Sequence, residues 1–235
     1  MNSQMTSTTK EFESLKSSIR YQGRKAARAK SEHRRKEILD AALRIVAREG
    51  IRGVKHRAVA KEANVPLAST TYYFKDIEEL ISDAFMLFAE KSLQVLDLFY
   101  GELHSLVANY DVKEIQRDVE VRERFITGLV DMGAGYIKAQ VKFRRQDLLA
   151  EMAFLLEAVR DERLKPLARD YRGVWYSRLT EFLILTNTPA PKEDAMLIIS
   201  SVQGLLYEGI INDGEIDDVK TESILRRAIH ILMQP

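Results

Sequence analysis

The sequence predicts an all-α protein in two parts, a small N-terminal helix-turn-helix module followed by a larger helical body. Three observations predict it. From about residue 32 onward nearly every segment repeats its apolar side chains at helical spacing, with few of the β-branched alternations that a strand needs. The run "HRAVAKEANVPLASTTYYF" over 56–74 breaks at Asn64-Val65-Pro66 and resumes only briefly. A core has no need of so short a second helix, whereas a groove does. Charge is also divided unevenly, because residues 20–75 carry a net +10 and residues 76–235 a net −9 beneath an overall +1. A cationic head on an anionic body points to a polyanionic partner for the head alone.

The elements follow in order. Residues 1–31 open on the polar "MNSQMTSTTK" and then crowd Arg20, Arg24, Lys25, Arg28 and Lys30, which reads as a flexible basic arm. Arg34, Arg35 and Lys36 extend that cationic run into the module expected over 32–75. Helix one, about 32–48, buries Ile38, Ala42 and Ile45 with Leu39, Leu43 and Val46 beside them, and Gly50 suits its left-handed C-terminal position. Helix two covers about 56–63. Asn64 tolerates a positive φ at the turn, and Pro66 opens helix three, which runs over about 67–73. The body, 76–235, begins with a long helix over about 76–100, capped by Asp76 and ended by Gly101. Further helices are predicted over 119–141, 145–159, 163–186, 192–211 and 219–233, punctuated by Asn187-Thr188-Pro189-Ala190-Pro191 and Asn212-Asp213-Gly214.

Composition excludes several function classes. The chain has 46% hydrophobic and 30% charged residues over 235 positions, enough for an ordinary core. Without cysteine there are no disulfides, thiolate nucleophiles or cysteine metal sites. No run of about 18 apolar residues and no signal-peptide stretch is apparent, so a cytoplasmic protein without membrane contact is expected. Gly133-Ala134-Gly135 is half of a glycine-rich fingerprint but follows no strand. His33, His56, His104 and His230 lie too far apart for a zinc pair. No catalytic residue, metal or cofactor is expected.

A helix in the major groove presents its first residues and one face to base edges. In helix three these are Leu67, Ala68, Ser69 and Tyr72, and Arg57 at the start of helix two is able to grip a guanine with two hydrogen bonds. Lys55, Thr71, Tyr73 and Lys75 carry ammonium or hydroxyl groups suited to phosphate. Phe74 is expected in the core.

The stretch "RRKEILDAALRIVAREGIRGVKHRAVAKEANVPLASTTYYFKDIEELI" over 34–81 resembles the TetR family of bacterial transcriptional regulators. The likeness is carried by the Ile-Leu-x-Ala-Ala-x-x-x-Val helix, Gly50, Arg57-x-Val59-Ala60, Ala63-x-Val65 and the Tyr-Tyr-Phe ending. It implies a ligand-responsive regulator, a repressor in the first instance, that binds a palindromic operator as a homodimer and is released by a small effector. Lys55 replaces the usual Thr or Ser cap, Asn64 the turn glycine, Thr70 a core leucine and Ile77 a lysine, so that the last phosphate contact either moves to Lys75 or is lost.

For the body, aromatic and polar residues amid apolar helices nominate an effector pocket: Phe88, Phe125, Asp131, Tyr136, Glu151, Phe154, Arg172, Trp175 and Tyr176. One short recognition helix reads too few bases alone, so two-fold pairing is expected through Ser200, Ser201, Gly204, Leu205, Ile224, Leu225 and Ala228 in the last two helices. A sequence-tolerant architectural DNA-binding protein and an activator of the same fold are the alternatives.

Overall fold

The computed structural model describes residues 10, 12–19 and 29–233. Among these it holds ten α-helices besides a helical stretch over 12–18, and no strand. They are α1 (Ala29–Glu49), α2 (His56–Glu62), α3 (Leu67–Tyr73), α4 (Ile77–Val107), α5 (Val112–Arg117), α6 (Val119–Phe143), α7 (Arg145–Ala158), α8 (Leu164–Leu185), α9 (Pro191–Ile211) and α10 (Asp218–Leu232). The chain divides into two compact units. A head unit takes Lys16–Gln94 with Gln146–Tyr171, and a body unit takes Met1–Leu15, Val95–Arg145 and Arg172–Pro235.

In the head, α1 buries Ile38, Leu39, Ala42, Ile45 and Val46 as its spacing predicts. It ends at Gly50, whose φ of 72° is the left-handed value expected there, with its N–H donating to the Val46 carbonyl at 2.9 Å. Asn64 likewise adopts φ 53° and turns the chain between α2 and α3. Asp76 caps α4 by accepting from the Glu79 N–H at 2.8 Å.

Arg35 was expected among the cations of the arm, but only 4% of it is exposed. It donates to the Asp83 carboxylate, stands 3.9 Å from Glu79, and lays its guanidinium over the Phe74 ring at 4.7 Å. A buried charge survives only when paired in good geometry, so this contact ties α1 to the first turns of α4. The head also extends past the boundary expected at residue 75. The reason is an aromatic layer in which Phe85 stacks on Phe154 at 4.8 Å and meets Tyr171 at 6.0 Å, joining α4 to α7 and the start of α8.

The body core sets Ile126, Val130 and Ile137 of α6 against Leu205 of α9 and Leu225 of α10. Glycines permit these close crossings. A Cβ on Gly209 would lie 2.8 Å from Val141, and one on Gly133 would lie 3.2 Å from Leu225. In the Gly133-Ala134-Gly135 fragment, Gly133 is therefore a packing position inside α6, while a Cβ on the exposed Gly135 would meet nothing within 4 Å.

Three expectations change. Gly101 does not end α4, which continues to Val107 because Tyr100 and Leu103 carry on the buried face. One interior glycine costs a helix about 1 kcal/mol, less than burying two such side chains returns. A short helix, α5, appears after Asp111, whose carboxylate accepts from the Lys113 N–H at 2.8 Å. Part of the arm expected over 1–31 is helical at 12–18, where Phe12 and Ile19 are 3% and 1% exposed. Positions 1–9, 11 and 20–28, with Arg20, Arg24, Lys25 and Arg28, lie outside the described residues.

Candidate nucleic-acid interface

The short α3 has one inward side. Thr70 is fully buried, with its hydroxyl donating to the Leu67 carbonyl at 2.8 Å, and Phe74 beyond it is also fully buried. The methyl of Thr70 thus fills the core position that a leucine would take, while its hydroxyl is satisfied locally. This anchoring turns the other side of α3 outward. Leu67 is 44% exposed and Tyr72 75%, Ala68 is exposed, and Ser69 is half-buried. Pro66 is the residue before the first turn of α3 rather than within it, and accepts there from the Ser69 N–H at 2.9 Å.

Arg57 and Lys55 are exposed at the start of α2, and Lys55 makes no side-chain cap, as a residue without an acceptor must. Thr71 and Lys75 are exposed, with the Thr71 hydroxyl donating to Ala68 at 3.2 Å. Tyr73 is half-buried, edge-on to Tyr72 at 5.0 Å, and its hydroxyl accepts from Ser31 at 3.4 Å.

Ion pairing sorts the cations of the head. Arg34 pairs with Glu37 at 3.0 Å, Arg44 with Glu62 at 2.8 Å, and Arg48 with Glu49 at 2.8 Å. The hydrogen bond from Arg44 holds Glu62 below the usual carboxylate range. The side-chain cations of Lys55, Arg57, Lys61 and Lys75 form no ion pair among the described residues, although the Lys75 backbone N–H donates to Glu79 at 2.6 Å. Exposed cations without an ion pair thus stand on and beside α2 and just after α3, and Arg52, Arg160 and Arg169 of the same unit are likewise exposed without one among the described residues.

The nominated pocket residues divide between the two units. Phe88 and Phe154 fill the aromatic layer of the head, 6.0 Å apart, and Glu151 belongs to the same unit. In the body, Phe125 is fully buried against Tyr110 at 5.2 Å and Tyr136 leans on Phe99 at 4.7 Å. Asp131 is exposed, because it stands about 100° round α6 from the buried Val130, off the face that Val130 and Ile137 share. Arg172 donates to Gln203 at 3.3 Å and to the Tyr176 hydroxyl, while Trp175 is half-buried.

A polar cluster that the sequence reading passed over lies in the same unit. Arg178 donates to Glu181 at 3.3 Å and has the rings of Phe12 and Tyr100 at 4.8 and 5.5 Å from its guanidinium carbon. Burial pushes the Tyr100 phenol up. Burial, with Arg178 nearby, pushes the His104 imidazole down. Arg178 and Glu181 stand in the apolar run "WYSRLTEFLIL", the same signal that nominated Asp131.

Of the nominated pairing residues, Leu205, Leu225 and Ala228 are 9%, 2% and 8% exposed within a single chain. The first two are spent on the core with α6. Ser201 and Ile224 are half-buried, whereas Ser200 and Gly204 are exposed. The latter two share one side of α9 with the exposed Met196, Leu197, Tyr207 and Ile211. That stripe makes α9 the one described helix long and apolar enough to cross a membrane by length and composition.

Comparison with known proteins agrees with this layout. Residues 38–84 match the family model for bacterial regulatory proteins of the tetR family, and residues 120–232 match that for the tetracyclin repressor-like C-terminal domain. The HTH-type transcriptional regulator PksA of Bacillus subtilis is 38% identical over 60 residues, a match that covers 26% of this chain and 29% of the relative. A TetR-family structure from Streptomyces coelicolor superposes with a TM-score of 0.56 at 24% identity, covering 83% of this chain and 97% of that one. A transcriptional regulator from Rhodococcus sp. reaches a TM-score of 0.63 at 18% identity, over 85% and 95% of the two chains. The multidrug binding protein EbrR in complex with ethidium gives 0.53 at 26% identity, over 83% and 97%. The two family models together span the helix-turn-helix and the body, so this chain belongs to the TetR family of bacterial regulatory proteins.

Proposed function

We propose that this protein is a cytoplasmic, ligand-responsive transcriptional repressor that binds a palindromic operator as a homodimer. The observation that carries the reading is the α2–α3 face, where Leu67, Ala68 and Tyr72 are exposed beside Lys55, Arg57, Lys61 and Lys75. Arg57 reads a guanine, Leu67 and Ala68 meet thymine methyls, and Ser69 and Tyr72 complete the base contacts. Lys55, Thr71, Tyr73 and Lys75 hold phosphates and set the register. The apolar stripe on α9 pairs with its copy, which accounts for its exposure without a membrane, and α10 flanks it.

The effector is a partly apolar small molecule taken up by the body. EbrR, of similar fold, binds ethidium, and by analogy a planar aromatic compound is a fitting class. Release needs the effector to prefer a DNA-incompetent dimer by about 5.5 kcal/mol. Because α4 contributes residues to both units, it is the lever between them.

The test is a gel shift on the DNA flanking the reading frame. Preference over random duplex by about 10³ or more is expected of a specific regulator, and loss of the shift with one compound identifies the effector. Equal binding to every duplex would instead favour an architectural protein, and a gene whose transcription falls when the protein is removed would make it an activator.

A further inference from the structure

We propose that the first turn of the helical segment over 12–18, from Phe12 to Leu15, is a built-in occupant of a ligand site in the body unit, its Phe12 ring standing where an aromatic ring of the ligand would lie on Arg178. Phe12 is 3% exposed and its ring lies 4.8 Å from the Arg178 guanidinium carbon. Leu15, one turn on, reaches α8 at Gly173, where a Cβ would meet a Leu15 methyl at 3.0 Å. The glycine thus admits the segment.

What lies beneath Phe12 is unfinished as a core. Glu181 is 7% exposed, and its Oε2 accepts from Arg178 at 3.3 Å. Its Oε1 and the Arg178 Nε are both shielded from water and have no hydrogen-bond partner. Buried charged groups in a native protein ordinarily use such atoms, so each orphan needs an explanation. Phe12 supplies a ring over the guanidinium and nothing polar.

A ligand that combines a ring with an adjacent acceptor and donor would do both. An aromatic carboxamide fits that description: its carbonyl oxygen accepts from the Arg178 Nε–H, and its NH₂ donates to Glu181 Oε1. Phe12 is the part that yields, since a helical stretch this short is marginal without its packing. The inference rests on the reading of the body as the ligand-binding unit.

The test measures binding of benzamide and of N,N-dimethylbenzamide to the full-length protein and to Phe12→Ala by calorimetry, without DNA. Removing the occupant should tighten benzamide binding about ten-fold. The dimethyl compound, which keeps the acceptor and loses the donors, should bind Phe12→Ala about ten-fold more weakly than benzamide. In the wild-type protein, benzamide should speed amide hydrogen exchange over 12–18, a readout that stands even if Phe12→Ala fails to fold. Equal affinity of the two amides, equal affinity of the two proteins, or unchanged exchange at saturating benzamide would each overturn the proposal. Another compound that lifts the protein from DNA while 12–18 stays protected would remove the occupant and leave the effector reading intact.

Discussion

On the α2–α3 face of the head, Lys55, Arg57 and Tyr72 stand in solvent, the cations without a carboxylate beside them, while in the body Arg178 and Glu181 are turned inward and paired. On the function proposed above, the contrast follows from the partner each part would meet. A duplex is rigid, periodic and uniformly anionic, so side chains that meet it can wait exposed on a short helix held by Thr70 and Phe74. A small molecule is met inside a core, where every polar group must first be paid for by a partner. Arg35 shows the distinction within one helix: three residues before Ile38 it is buried against Asp83, and adjacent Arg34 is exposed.

The comparison breaks most sharply at that buried pair. Asp83→Ala removes the carboxylate that buried Arg35 hydrogen-bonds, leaving Glu79 3.9 Å away, and should destabilise the protein by about 3 kcal/mol in thermal melts. A loss within about 0.5 kcal/mol would mean that the pair does not hold α1 to α4. Next in size is the α9 stripe, where Tyr207→Asp places a charge on the proposed pairing face. A cost of at least about 2 kcal/mol in dimer stability is expected, visible by light scattering as monomer at micromolar concentration. An unchanged dimer would put the interface elsewhere. Arg57→Ala should cost about 1–3 kcal/mol of operator binding and relax one base position. Uniform weakening on all sequences would assign Arg57 to phosphate.

The smallest effect sharpens the picture of neutralised cations. Glu62 has its folded pKa lowered, chiefly by the hydrogen bond from Arg44, from an ordinary value near 4.5. Its contribution is therefore present above that value and lost as pH falls through the lower, folded one. Being a surface pair, it is worth under about 1 kcal/mol. Glu62→Gln should lower stability slightly at pH 7 and leave it unchanged well below pH 4 in denaturant titrations; an equal loss at both would make the effect one of packing.

The head was legible because its signals are local. Gly50, Asn64 and the Thr70–Phe74 anchor each act through their own backbone or their nearest turn, and the structure places them as spacing and turn chemistry predict. The body's helices were legible too, to within a residue or two over α6 to α10. Which of its side chains meet was not. Asp131 and Glu181 interrupt apolar stretches in the same way, yet one faces solvent and the other the core, and only the rotation of α6 and α8 against their neighbours separates them. Leu205 and Leu225 carry a related ambiguity, since an apolar stripe does not say whether it faces its own chain or a copy, and in this chain both pack on α6. Phe12 was missed because a polar, Ser/Thr-rich context hid the spacing of Phe12, Leu15 and Ile19.

Footprinting on the DNA beside the gene tests most directly that two α2–α3 faces grip one duplex. Two protected major-groove patches are expected, related by a two-fold axis and spaced by a whole number of helical turns, with both patches lost in a Leu67→Ala, Tyr72→Ala protein that remains a folded dimer. Protection that spreads evenly along any duplex, or that survives this double substitution, would contradict DNA binding by this face.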